Sequence, residues 1–453
     1  MTDPATTCSR GTVALAAATG VVFVAGALLE VSPLNGLYWT WNWRDLGVLA
    51  TAVRMLPGLV PTAWVVWVLR GADPLRPRML LAALAASCLL HQILGILADP
   101  IGIRLIGDIV RSPLATSYYT DALSIHSSTD FLAGFHDASL QLHSSTHPPG
   151  PVLFYRFWIW MFGPEAGAGA GAAVIAGLAA AGVPLIYVFS GLWTADPKER
   201  VTVAALYSLL PGLVLMYPEF DQVYPLFSMG IIYAWVRAVT GDPRWAVVLG
   251  VLLCTAVFFA YGLLTLGAFL AIHAALQVAR KGDAPEALRR IARTSAIALG
   301  VWCVLLLLLR TTTGFRPLAS FLHALAAHEA GAGGHGRPWL ACVIFDPYDF
   351  VLGAGILALP LTWVYCERIV RTGRDWTEEE RLSLIGLAVV GIVDLSGLLR
   401  AETARVWLFL QPLLLLPAGL ALARLPAGGR EGLVGLQWII LVVIKAKMQF
   451  INL

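Results

Sequence analysis

The chain alternates long apolar runs with short polar breaks from end to end. Runs such as GTVALAAATGVVFVAGALLEV near the start, AAVIAGLAAAGVPLIYVFSGL from Ala172 and SAIALGVWCVLLLLL from Ser295 approach or exceed the roughly 20 apolar residues that cross a bilayer as a helix. The pattern predicts spans near 11–32, 47–70, 78–98, 168–192, 201–217, 220–239, 245–259, 261–279, 294–310, 349–368, 383–400, 405–423 and 432–448. Segment 245–279 reads either as one kinked helix or as two short ones. The expected fold is therefore an all-α polytopic integral membrane protein of about 11–14 transmembrane helices. It forms a single transmembrane domain over 1–453, with an outer loop and juxtamembrane segment at 99–167 and a second outer loop at 311–348.

Composition agrees. Of the 453 residues, 58% are hydrophobic and 13% charged, against about 25% charged in ordinary soluble domains. The net charge of +3 is too small to suggest a nucleic-acid partner. The six cysteines show no CxxC or metal-ligand spacing, and Cys88, Cys254 and Cys303 fall inside apolar runs. The first apolar run is long enough to remain as a span rather than serve as a cleaved leader.

The placement of cations sets the orientation. Six basic clusters, Arg70/Arg76/Arg78, Lys198/Arg200, Arg237/Arg244, Arg280/Lys281/Arg289/Arg290/Arg293, Arg368/Arg371/Arg374/Arg381 and Arg424/Arg430, fall on one face, which the positive-inside rule makes cytoplasmic, as it does the N-terminus. This requires PVLFYRFWIWMFG, a short segment carrying Arg156, to lie along the interface rather than cross. The long loop 99–148, the loop 311–348 with His323, His328, His335 and Arg337, the turn LLRAETAR and the turn YPEFDQ then face outward.

Candidate chemistry gathers in these outer segments. The first loop carries Asp108, Asp121, Asp130 and Asp137 and four histidines, with apolar spacing suited to short helices, for instance over Ala122–Leu142. A carboxylate there can act as a base toward a hydroxyl or bind a divalent cation such as Mg or Mn, and can equally cap a helix. In HSSTHPPGPVLFY, Pro148 and Pro149 fix an extended turn, Gly150 permits close approach, and His147 is presented on stiff backbone. His143 and His147 are four apart, but the prolines that follow argue against a helical metal pair. Glu219 and Asp221 lie between two apolar runs, where ionisable groups mark a site by default or simply end a helix. Arg400, Glu402 and Arg405 cluster between two late spans. Arginine binds phosphate through two parallel hydrogen bonds and keeps its charge; a local ion-pair turn is the alternative. Arg54 and Asp394 lie within apolar runs and are candidates for the same polar cavity.

HPPG at 147–150, followed by an apolar-aromatic run, resembles the HPPL-type motif of the GT-C superfamily of membrane glycosyltransferases, which includes protein mannosyltransferases and lipid A aminoarabinose transferases. SYYTDAL at 117–123 is similar to the acidic, tyrosine-containing part of their first external loop, and YPEFDQVYPLF and ETARVWLFLQP are similar to segments of bacterial members. The chain departs from the pattern in three ways. Gly replaces Leu in the motif, additional spans precede the first long loop, and Ala122 stands where many relatives carry a second acidic residue. The resemblance implies a transferase of the cell envelope with a polyprenyl-phosphate-linked sugar donor and a lipid, glycan or protein acceptor. It places the active site on the extracytoplasmic side of a bacterial-type inner or plasma membrane. It further implies Asp121 or Asp108 as base, Arg400 and Arg405 on the donor phosphate, and His147, Glu219, Asp221 and Glu402 around the pocket. A transporter or lipid flippase is the alternative reading, with polar, broken helices near the midplane as its mark. A scaffold binding through the Trp-rich LYWTWNW near residue 37 is another.

Overall fold

The structure, a computed structural model, describes residues 4–34, 42–71, 77–280, 284–334, 337–372 and 376–451. Most of LYWTWNW, together with Arg76, Lys281, His335 and Arg374, lies outside the described residues.

The described chain is helical almost throughout. Asn42–Trp43 and Met448–Gln449 form the one small antiparallel strand pair among the described residues, tying an early segment to the C-terminal one. Among the described residues eight helices are long and apolar enough to cross a membrane, or nine if one bent pair counts as a span. This is the character of an integral membrane protein. The count falls below the 11–14 read from the sequence because several apolar runs are broken. Run 201–217 divides into Pro197–Ser208 and Pro211–Leu215, where Pro211 opens the second piece. Run 245–279 breaks at Ala260, which is extended, between Trp245–Phe259 and the helical turns that follow. Run 349–368 belongs to a pair of helices, Trp339–Ala354 and Ala358–Arg371, bent by 104° where Gly355 adopts φ 95.

The chain divides into two compact units, one of residues 1–106, 175–225 and 338–452, the other of 107–174 and 226–337. In the first unit, Gln411–Ala423 is the core helix: nearly every residue along it is buried, whichever way it faces. A helix apolar all round must be enclosed by others, and Ala358–Thr372 and Pro197–Ser208 pack on it. Gly419 lets the latter approach, since a Cβ there would lie 2.9 Å from the Val203 Cα. Pro4–Leu28 and Leu59–Arg70 both pack on Ala427–Lys447.

In the second unit, Trp245–Phe259 packs on Ala284–Thr313, with Gly250 against the Ala298 backbone. The segment after the first outer loop is a helical hairpin. Its helix, Gly150–Phe189, breaks at Gly163 (φ 77), a backbone state favouring glycine. Two further glycines follow at four-residue spacing and show that the arms fold back on each other. A Cβ at Gly167 would lie 2.9 Å from the Trp158 carbonyl oxygen, and one at Gly171 would lie 2.9 Å from the Tyr155 ring. Small residues at this spacing let helix backbones approach closely. The first arm, 150–162, is only about 20 Å long at 1.5 Å per residue, too short for a hydrocarbon core of ~30 Å. It exposes Phe157, Trp160, Met161 and Phe162 along its length. These features fit a helix lying in a membrane interface, as the charge pattern requires.

Candidate functional site

The first outer loop is folded into Arg104–Arg111, Tyr118–Ser124, Ser128–Gly134 and Leu142–Thr146. Leu132 and Phe135 bury themselves with Phe315 in a cluster that also gathers Leu153, Phe258 and Leu309. The second outer loop contributes Pro317–Gly334, which packs on Leu142–Thr146. Segments 99–148 and 311–348 are therefore largely helical rather than extended loops.

Within this unit Asp121 sits on one helix and His147 directly follows another, the two stitched together. Ser117 precedes Tyr118–Ser124 with φ 58, a left-handed state that costs a non-glycine residue on the order of 1–3 kcal/mol. Its hydroxyl accepts from the Ser144 N–H at 3.2 Å and lies 3.2 Å from the Ser144 hydroxyl. Tyr118 meets the His147 ring edge-on at 5.6 Å. Asp121 is buried and accepts the Gln141 N–H at 3.3 Å, a long bond that leaves most of the carboxylate's acceptor capacity uncommitted to that contact. His147 is extended, as a residue before proline must be. Its Nδ1 lies 2.8 Å from the His143 carbonyl oxygen. In the neutral ring this contact puts the proton on Nδ1, making Nε2 the acceptor.

The knot's remaining residues explain their identity. A Cβ at Gly150 would collide with the Phe258 carbonyl oxygen and sit 2.8 Å from the Phe259 ring. Glycine at this position thus has a local cause: backbone of another helix occupies the place of a side chain. The hairpin tip is also pinned to the loop. Arg111 donates to the Glu165 carbonyl oxygen at 2.9 Å and to its carboxylate at 3.1 Å, and the Tyr119 hydroxyl donates to the Pro164 carbonyl.

Asp108 lies on the exposed side of Arg104–Arg111, opposite buried Leu105 and Ile109. Asp137 pairs with His136 at 3.0 Å, and the Asp130 N–H is capped by Ser127. Of the first-loop carboxylates proposed as base, Asp121 is the enclosed one. Among the described residues no group of three or more His, Cys, Asp or Glu side chains is placed to hold a metal ion, and the His147 Nδ1 is committed to a backbone carbonyl.

The late turn belongs to the other unit and is built differently. Ala401 and Glu402 are consecutive left-handed residues, φ 61 and 55. Two buried aspartates of Trp339–Ala354 hold them there. Asp346 accepts the Ala401 N–H at 3.1 and 3.3 Å, and Asp349 accepts the Ala404 N–H at 2.9 Å and the Thr403 hydroxyl at 3.3 Å. Thr403 also donates to the Asp346 carbonyl oxygen at 2.6 Å, and the Trp407 indole to the Leu399 carbonyl at 2.9 Å. The turn presents Arg405, which donates to Glu219 at 3.0 Å and to Glu402 at 2.5 Å. All three side chains are largely buried. Burial pushes the Glu219 carboxyl above the usual carboxylate range, and Arg405 beside it opposes the shift. Asp221 is buried two residues on. Arg400 donates from Nε to the Gly397 carbonyl at 2.7 Å.

Arg405, Glu402 and Glu219 therefore form one cluster, with the guanidinium bridging two carboxylates. Arg54 is exposed and its Nη1 reaches the Ala98 carbonyl at 3.4 Å, while the Asp394 carbonyl accepts the Gly397 N–H; neither contact joins the Arg405 cluster. Asp346 and Asp349 escaped the sequence reading, although two aspartates three apart in an apolar run were the available signal.

Comparison with known proteins finds no matching protein family, no similar curated protein and no similar solved structure.

Proposed function

We propose that the chain is a membrane glycosyltransferase of GT-C type, moving a sugar from a polyprenyl-phosphate donor to an acceptor hydroxyl on the extracytoplasmic face. The observation that carries this is the burial of Asp121 on a helix joined through Ser117, Ser144 and Tyr118 to the one that half-buried His147 ends, immediately before an aromatic helix suited to the membrane interface. A lipid-borne donor needs chemistry at that depth. Asp121 takes the proton from the acceptor hydroxyl. The acceptor oxygen forms a bond to the anomeric carbon, the bond from that carbon to the phosphate oxygen breaks, and polyprenyl phosphate leaves with inversion. His147, its Nδ1 held on the His143 carbonyl, orients a hydroxyl. The sequence resemblance assigns Arg400 and Arg405 to the donor phosphate; within its own unit Arg405 is held by Glu219 and Glu402. Asp108 is exposed and suits acceptor contact rather than proton removal.

A second reading, a transporter or flippase, draws on the late turn. A buried, acid-rich cluster beside a helix pair bent by 104° is the arrangement expected of a coupled transporter. One experiment separates the two. Purified protein is given radiolabelled polyprenyl-phosphate sugars with detergent-solubilised envelope acceptors, and in parallel is reconstituted for lipid-flip measurements. Transfer lost in Asp121→Asn supports the enzyme. Flipping without transfer, lost in Asp349→Asn and kept in Asp121→Asn, replaces it with the transporter.

A further inference from the structure

Three cations converge on a cleft that the proposed chemistry does not use. The cleft, about 210 Å³, lies in the first unit where the ends of three helices meet: the last residue of Leu59–Arg70, the first turn of Pro197–Ser208 and the first turn of Ala427–Lys447. Leu59–Arg70 packs against both of the others. Arg70, Lys198 and Arg430 line the cleft with Gly71 and Thr202, and Leu69 and Val201 give it an apolar side. Its volume gives room for a phosphate group and part of its ester.

Its charge is unbalanced. Arg70 is satisfied by Glu431, to which it donates at 2.6 and 2.5 Å. Among the described residues Lys198 has no carboxylate within ion-pair distance, Arg430 shares with Arg70 the single Glu431 carboxylate, and the Arg430 Nε is buried without a hydrogen-bond partner. Both sit in the first turn of a helix, where the helix dipole disfavours a cation and favours an anion. An anion in the cleft reconciles all three facts: it neutralises the two spare charges, gives the Arg430 Nε an acceptor and meets the positive ends of two helices. The apolar side and the helix ends of membrane-spanning elements suit a lipid ester more than a free ion. Basic pockets of this kind between membrane helices bind anionic head groups.

We infer that this cleft is a binding site for a phosphate monoester or diester, supplied by the head group of an anionic membrane lipid. It is independent of the transfer chemistry and of which side the first outer loop faces. Full-length protein in neutral detergent is titrated with short-chain phosphatidylglycerol, short-chain phosphatidylcholine or inorganic phosphate, and binding is read by thermophoresis and native mass spectrometry. Wild-type protein should retain phosphatidylglycerol over phosphatidylcholine, with affinity falling as ionic strength rises. Lys198→Gln and Arg430→Gln should each weaken binding about five-fold, the double variant about 25-fold, and Lys198→Arg should keep most of it. Inorganic phosphate binding with the same variant dependence, and no lipid preference, would retain the phosphate site and assign it a soluble source. Equal binding of the two lipids with no binding of inorganic phosphate, or phosphatidylglycerol and phosphate binding unchanged in a double variant that unfolds at the wild-type temperature, would overturn the assignment.

Discussion

Replacing Asp349 by alanine tests how the late turn is held. In the native fold its carboxylate accepts the Ala404 N–H at 2.9 Å and the Thr403 hydroxyl at 3.3 Å, both buried. Thr403 keeps its second acceptor, the Asp346 carbonyl oxygen. The Ala404 N–H loses its side-chain partner. A hydrogen bond to a charged acceptor contributes about 1.5–3 kcal/mol, and an orphaned buried donor costs about 1–3 kcal/mol. These describe the same loss from two directions and are not added. The adjoining left-handed pair, Ala401 and Glu402, stores a further strain of the order of 1–3 kcal/mol per residue, released if the turn relaxes. The net expectation is a destabilisation of about 2 kcal/mol with local loosening around Arg405. Reversible unfolding in mixed micelles measures the first, and amide exchange at residues 399–407 measures the second. Asp349→Asn, which preserves an acceptor oxygen, should recover about half the loss. If Asp349→Ala lies within about 0.5 kcal/mol of wild type and exchange over the turn is unchanged, the aspartate does not hold the turn and the account of its strained backbone fails.

Arg405→Ala should cost about 3–5 kcal/mol, because it leaves Glu219 and Glu402 buried without their guanidinium, and adding Glu219→Gln should restore part of that loss in a double-mutant cycle. Gly150→Leu, which reinstates the residue of the resembling motif, should destabilise the second unit by at least ~1–3 kcal/mol through overlap with the Phe258 backbone, read as a lower unfolding midpoint in detergent. Gly167→Leu should pry the hairpin open at Trp158, and a nitroxide at position 160 should then leave the shallow depth expected of an interfacial helix. Ser117→Gly should relieve backbone strain yet remove the hydroxyl that binds Ser144, so stability should change by less than ~1 kcal/mol while any Asp121-dependent activity falls.

The apolar runs made the helices legible, and the shortness of the segment after the proline knot was legible too, its helix ending at Gly163. Gly150 was legible as a point of close approach, though not what approaches it. The number of long apolar helices was not, because proline and glycine breaks at Pro211 and Gly355 divide runs whose average hydropathy is uniform. The fold-back at Gly163 was written in glycines at 163, 167 and 171, a spacing that only a packed partner makes meaningful. At the late turn, Arg400, Glu402 and Arg405 stood out as charges between apolar spans. Glu219, 186 residues from Arg405 in the chain, could not be paired with it by spacing. Asp346 and Asp349 were hidden because the boundary between a loop read at 311–348 and a span read at 349–368 fell between them; inside one helix of sixteen residues both are buried.

The central claim is that Asp121 removes a proton during sugar transfer. Its most direct measurement is the release of polyprenyl phosphate from a polyprenyl-phosphate sugar by purified protein in proteoliposomes, followed by mass spectrometry with and without acceptor. The expected result is acceptor-dependent release, one phosphate per glycosylated hydroxyl. The rate should fall about 10²–10⁴-fold in Asp121→Asn and much less in Asp108→Asn. Release unaffected by Asp121→Asn, or no release with any donor while lipid flipping proceeds, would contradict it.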